Sequence, residues 1–231
     1  YEIDKQLEGY SPHTLKGYRL QSRLFIRHVG DISIQDVTYE TIKSYLAKDA
    51  GRLKPSSIAF RMKYFKSVWK WAHIEGVISS NPAAKLQIPK IGKRIPKAMS
   101  EEAIETLRVA CETTLEHAIL ETFFATGCRV GEIYNLNRTS VNWEHRSILV
   151  RGKGDKEREV YFTVRCAIWL KKYLKNRKDN NMALFVTERK FKSEGGQPRR
   201  MSTDQLRWIV KRIARKAGID DVYPHKLRHS Y

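Results

Sequence analysis

Apolar positions in the first ninety residues recur every three or four places, the period of helices with one buried face. Ser11-Pro12 reads as a helix start, a capping hydroxyl followed by a proline in the first turn. Leu15, Tyr18, Phe25 and Val29 then fall near one face, and Gly30 marks an end. Thr38 caps a second helix with Ile42, Tyr45 and Leu46 inward. Pro55-Ser56-Ser57 opens a third, in which Ile58, Met62, Phe65, Trp69 and Ala72 form an aromatic-rich stripe before Gly76. A stripe at that spacing reads as core rather than as a base-stacking platform. Asn81-Pro82 predicts a short fourth helix, which makes residues 1–88 a compact helical domain.

The pattern changes at Ile88–Lys97, where Pro89 and Pro96 stiffen a stretch holding Lys90, Lys93, Arg94 and Lys97. Residues 89–97 are therefore expected to be a basic linker, and residues 98–231 a second domain. Ser100 caps a helix whose start carries Glu101 and Glu102, with Leu107 further along. Leu115, Ala118, Ile119, Thr122 and Phe123 predict an amphipathic helix closing at Gly127. Two β-branched and aromatic runs, 147–150 and 159–162, flank Gly152-Lys153-Gly154-Asp155-Lys156, a hairpin signature. Val164, Ala167, Ile168, Leu170 and Leu174 predict another helix. Residues 175–201 are polar and basic and read as loop, interrupted by the apolar run 183–186. Ser202-Thr203-Asp204 caps a helix with Leu206, Ile209 and Ile213 inward, ended by Gly218. The predicted fold is mainly α with a small β-hairpin, in two domains: a helical one and a mixed α+β one.

Charge adds a partner. Lys and Arg number 44 against 25 Asp and Glu, a net charge of +19, far beyond what solubility needs. The surplus is divided almost equally between residues 1–97 and 98–231, so both domains are candidates to touch one polyanion. Lys63, Lys66 and Lys70 lie off the aromatic stripe, Lys93 and Arg94 lie in the linker, and Arg207, Lys211 and Arg212 lie off the apolar face of their helix. All eight are candidate phosphate contacts. A generic basic protein is the bland alternative, but 41% hydrophobic residues and five Trp argue for packed cores over a disordered basic arm. With no apolar run of bilayer length and no signal peptide, the expectation is a soluble, cytoplasmic protein. Cys111, Cys128 and Cys166 are too few and too scattered for a disulfide framework or a zinc site.

The chemistry sits in three places. Ala125-Thr126-Gly127-Cys128-Arg129-Val130-Gly131-Glu132 ends one helix at a glycine and begins another at an arginine. The 152–156 turn carries Lys153. Pro224-His225-Lys226-Leu227-Arg228-His229-Ser230 starts a helix at Pro224 and puts His225 and Arg228 on one side. Two arginines, a lysine and a histidine brought together would hold one phosphate and its developing charge. The lysine turn lacks Walker spacing, and the His225/His229 pair lacks a zincin glutamate and a third ligand, so no nucleotide loop and no metal site are expected.

These three motifs, in this order, resemble the tyrosine recombinases of the phage-integrase and Xer type. The resemblance covers nearly the whole chain. It implies a core-binding helical domain and a catalytic domain forming a clamp around duplex DNA, with Arg129 and Arg228 clamping the phosphate. It further implies Lys153 as general acid toward the 5′ oxygen, His225 assisting proton transfer, and Glu132 steadying Arg129. No metal or other cofactor is implied, and four protomers would act on two DNA sites. The family's nucleophile is a tyrosine well downstream of the second arginine. Tyr231, only three residues past Arg228, matches a buried aromatic position, so no residue of the chain is assigned as nucleophile, and the fragment itself is expected to be inactive. Cys128 replaces a commoner apolar residue, a mild departure. Two alternatives remain open at this stage: a DNA-binding module without cleavage, and a nicking-closing enzyme of type IB topoisomerase kind.

Overall fold

The computed structural model describes residues 1–90, 92, 98–152, 156–191 and 196–230. They fall into two units, Tyr1–Arg94 and Ile95–Tyr231. Lys93, Arg94, Lys153 and Tyr231 lie outside the described residues.

The first unit contains α1 (Glu2–Leu7), α2 (Pro12–Val29), α3 (Tyr39–Lys48) and α4 (Pro55–Ile74). The caps form where the sequence puts them. The Ser11 hydroxyl accepts the Thr14 N–H, Thr38 and Thr41 cap each other, and prolines open α2 and α4. Gly30 leaves α2 at φ 81°, a value only glycine adopts cheaply. Phe25, Tyr45, Phe65 and Trp69 form the centre of the core, Phe25 meeting Phe65 edge-on at 4.9 Å.

Two features differ from expectation. α1 has no buried residue and so leaves no apolar signature; Trp71 Nε1 donates to Asp4 at 2.6 Å and Tyr1 Oη to Ser67 at 2.8 Å. Residues 82–85 form turns, not a helix. The Asn81 side chain takes the Ala83 N–H at 2.9 Å, an Asx turn that competes with helix continuation.

The second unit is organised around α6 (Thr114–Thr126), flanked by α5 (Glu101–Val109) and α7 (Val130–Asn135). In place of the expected amphipathic helix, α6 is buried all round, with Ile119 and Phe123 fully enclosed. A helix apolar on every side belongs at the centre of a domain. Its two buried carboxylates are paired: Glu116 accepts from Arg212 and Lys216, Glu121 from Arg108. The strands β1 (Val141–Asn142), β2 (Ser147–Arg151) and β3 (Glu157–Tyr161) make one antiparallel sheet, β2 and β3 pairing from Ser147–Tyr161 to Arg151–Glu157. α8 (Val164–Asn176) follows and packs on α6. Its buried set is Cys166, Ala167, Leu170 and Tyr173, while Val164 and Ile168 face outward, so the expected inward face was rotated.

The expected loop at 175–201 contains an antiparallel hairpin, β4 (Val186–Phe191) and β5 (Gln197–Arg200). Its strands are charged and carry a proline, which hides them from pattern reading. α9 (Thr203–Lys216) begins at the Ser202–Gln205 capping box, and α10 (Pro224–His229) packs on α6 through Leu227, which is fully buried. The three cysteines are free and buried, and burial pushes the Cys111 and Cys166 thiols up to about 12.

Candidate active site in the second unit

α6 stops at Gly127, in the left-handed conformation at φ 56°, and its N–H closes the helix on the Phe123 carbonyl at 3.2 Å. Arg129 then takes the N-cap position of α7 with an extended backbone. An arginine offers no acceptor for a cap. Glu132 supplies the carboxylate instead, accepting the Arg129 N–H at 2.7 Å. The same carboxylate accepts Arg129 Nη1 at 3.0 Å. Half of the Arg129 side chain remains exposed. The motif thus ties one guanidinium at one edge and leaves the rest available to an outside acceptor.

Arg228 approaches from α10. Its Nη1 donates to the Gly127 carbonyl, two residues before Arg129. Pro224 is the first helical residue, His225 the second, and Arg228 stands one turn on from His225. Ser230 holds the end of this segment by accepting the Met99 N–H at 2.7 Å. His225 is exposed, and its pKa is lowered, first by partial burial and then by the charges of His229, Arg228, Arg129 and Arg207. It is therefore a neutral imidazole at neutral pH, able to pass a proton. Thr126, Gly127, Arg158, Tyr161 and Arg228 line a pocket of about 310 Å³ at this point. Lys153 lies outside the described residues.

The residue that sequence reasoning missed is Arg158, on β3. It grips Glu132 with both ends of its fork, Nη1 to Oε1 at 2.9 Å and Nη2 to Oε2 at 2.8 Å. Residues 156–159 are all charged and fall between the expected turn and the apolar run 159–162. Strand alternation carries the signal, since Arg158 shares a face with buried Val160.

Burial would raise the Glu132 carboxyl, but the hydrogen bonds from Arg158, then from the Arg129 N–H and side chain, hold it down at about 2. A depressed folded pKa stabilises above the ordinary carboxylate value and is lost as pH falls toward 2. Glu132→Gln should therefore cost roughly 2–3 kcal/mol at neutral pH, and less and less below about pH 4. Urea midpoints of both proteins at neutral and acid pH check this; a constant gap would contradict it.

The candidate phosphate contacts divide. Lys63, Lys70 and Lys211 are exposed. Lys66 is occupied, donating to the Leu86 carbonyl at 2.8 Å and the Ala84 carbonyl at 3.3 Å, where it secures the end of the first unit. Arg212 turns inward to Glu116 at 2.9 Å and stacks on Trp208. Arg207 bonds Asp204 at 2.6 Å at the surface of α9 and adds to the field at His225. Among the described residues, no group of three or more His, Cys, Asp and Glu could hold a metal ion, and no helix is long and apolar enough to cross a membrane.

A glycine-ended helix, an arginine anchored by a glutamate and a His-x-x-Arg helix start define the class. Residues 93–231 match the phage integrase family, and the chain belongs to it. The curated relatives are tyrosine recombinases. The XerD recombinase of Neisseria meningitidis serogroup B is 34% identical over 99% of this chain and 79% of its own length. Among solved structures, a lambda integrase dimer bound to a COC′ core site superposes with a TM-score of 0.78 at 16% identity, over 100% of this chain and 85% of that one. A lambda integrase tetramer bound to a Holliday junction gives 0.76 at 17% identity, over 100% of this chain and 69% of that one. These two show a shared fold.

Proposed function

We propose that this protein carries out site-specific recombination on double-stranded DNA by cutting and rejoining strands through a phosphotyrosyl intermediate. The observation that carries this reading is that Arg228 bonds the Gly127 carbonyl, two residues before the Glu132-held Arg129, and that the charges of both arginines reach His225. A phosphodiester resists attack because it is anionic and its alkoxide leaves poorly, so both charge and proton must be supplied. Arg129 and Arg228 hold the non-bridging oxygens, where planar forks stabilise the added charge of the transition state. Glu132 orients Arg129.

A tyrosine hydroxyl attacks phosphorus. The new phosphorus–oxygen bond forms as the bond to the 5′ oxygen breaks, and Lys153 delivers the proton that the leaving oxygen needs. His225 assists transfer of the tyrosine proton. The product is a 3′-phosphotyrosyl link and a free 5′-hydroxyl. A 5′-hydroxyl from another strand reverses the step, and since the ester retains the bond energy no nucleotide is consumed. The attacking tyrosine is assigned to none of residues 1–231. By analogy with the lambda integrase tetramer on its junction, four protomers act on two sites. Such work takes place in the cytoplasm, with the DNA.

Covalent trapping tests the reading. The full-length protein, incubated with a nicked duplex whose cut releases a short oligonucleotide, should become linked to DNA through a tyrosine. Binding without any covalent product would mean a DNA-binding module instead. Lys153→Ala should slow cleavage about 100-fold while leaving DNA affinity nearly intact. Equal loss of both would remove its role as general acid.

A further inference from the structure

The Glu132 carboxylate accepts four hydrogen bonds, two from Arg129 and two from Arg158, at 2.7–3.0 Å. It is almost fully buried. Arg129 is the reacting guanidinium of the proposed site, whereas Arg158 comes from the strand that returns from the hairpin tip. The other strand of that hairpin rests on the same pair. A Cβ added at Gly152 would stand 3.3 Å from Arg158 Nη1 and 3.5 Å from Glu132 Oε1. The Gly152 N–H also bonds the Lys156 carbonyl at 2.8 Å, closing the ladder below the tip. Gly152 does not sit at positive φ, so the reason for glycine here is close approach.

We propose that Arg158 is a positioning residue: packed against Gly152 and bonded to Glu132, it sets through that carboxylate the direction of Arg129. The inference rests on the recombinase reading above. Without Arg158, Glu132 keeps one guanidinium and loses two of its four donors in a buried place. Arg129 then no longer has a fixed anchor, and small misplacement of a clamping group costs rate steeply. The arrangement also brings Gly152, at the base of the hairpin, and Arg129, from a different element, against one carboxylate.

The test uses the full-length protein on the nicked duplex, in single turnover at saturating protein. Arg158→Met should slow cleavage about 10- to 100-fold with DNA affinity changed less than about 3-fold. It should also move the acid limb of the pH–rate profile to higher pH than in the unsubstituted protein, because burial then raises Glu132 with only Arg129 left to oppose it. A purely structural arginine would not move that limb. The double variant Arg158→Met/Glu132→Gln should be no slower than the slower single and should not show that shift, since both changes act through one carboxylate. Gly152→Ala, which only nudges the guanidinium, should slow cleavage about 3- to 10-fold and serves if Arg158→Met does not fold. Wild-type rates in these variants, additive losses, or affinity falling as far as rate would overturn the inference. Failure of the unsubstituted protein to form any covalent product would count against the recombinase reading instead.

Discussion

Arg228→Ala should reduce covalent cleavage about 1,000-fold while weakening DNA binding about 10-fold or less. The two effects separate because, in the proposed function, the arginine is one phosphate contact among many in binding but one of two clamps on the reacting phosphate. In the ground state the phosphate carries a single charge that Lys and Arg elsewhere can also balance. In the transition state charge accumulates on the oxygens that Arg228 and Arg129 face, and no mobile surface cation replaces a fixed fork there. Folding should survive the change. Leu227 stays buried against α6, and the Gly127 carbonyl loses one donor, a cost of about 1 kcal/mol. Arg228→Lys keeps the charge but not the fork and should fall between, about 10- to 100-fold down. Single-turnover cleavage and equilibrium binding on the same duplex decide it. Losses of equal size in rate and affinity would show that Arg228 holds DNA without acting on the transition state.

Much of this site is legible in the sequence because its parts are local. A glycine that ends a helix, a glutamate three residues past an arginine, and a proline before His-x-x-Arg each announce their geometry within eight residues. What the sequence hides is what comes from elsewhere in the chain. Arg158 meets Glu132 across 26 positions, so only the strand's alternation hints at its direction. Lys66 and Arg212 are basic residues off an apolar face, as phosphate contacts would be, yet each has a partner inside the protein. Composition gives the sign of the surface and not which cation is already taken. The β4–β5 hairpin is missed for another reason, since its strands are charged and pair only with each other. α1 is missed because it buries nothing.

The rotated face of α8 has a measurable consequence when set against α6. Phe123 is fully buried at the centre of the second unit, and its carbonyl receives the N–H of Gly127, where the site begins. Phe123→Ala removes a large side chain from the centre of a helix against which α8, α9 and α10 pack, and should cost about 3–5 kcal/mol. That is a large part of the stability of a unit this size, which is typically about 5–15 kcal/mol. Ile168→Ala is the matched control. The apolar spacing puts Ile168 inward, but 47% of it is exposed, so the change should cost less than about 0.5 kcal/mol. Urea unfolding followed by circular dichroism measures both. A large loss from Ile168→Ala would mean that α8 is turned as its spacing suggests and that Cys166 and Tyr173 are not its inward residues. A small loss from Phe123→Ala would mean that α6 is not the centre on which Gly127, and with it both arginines, is held in place.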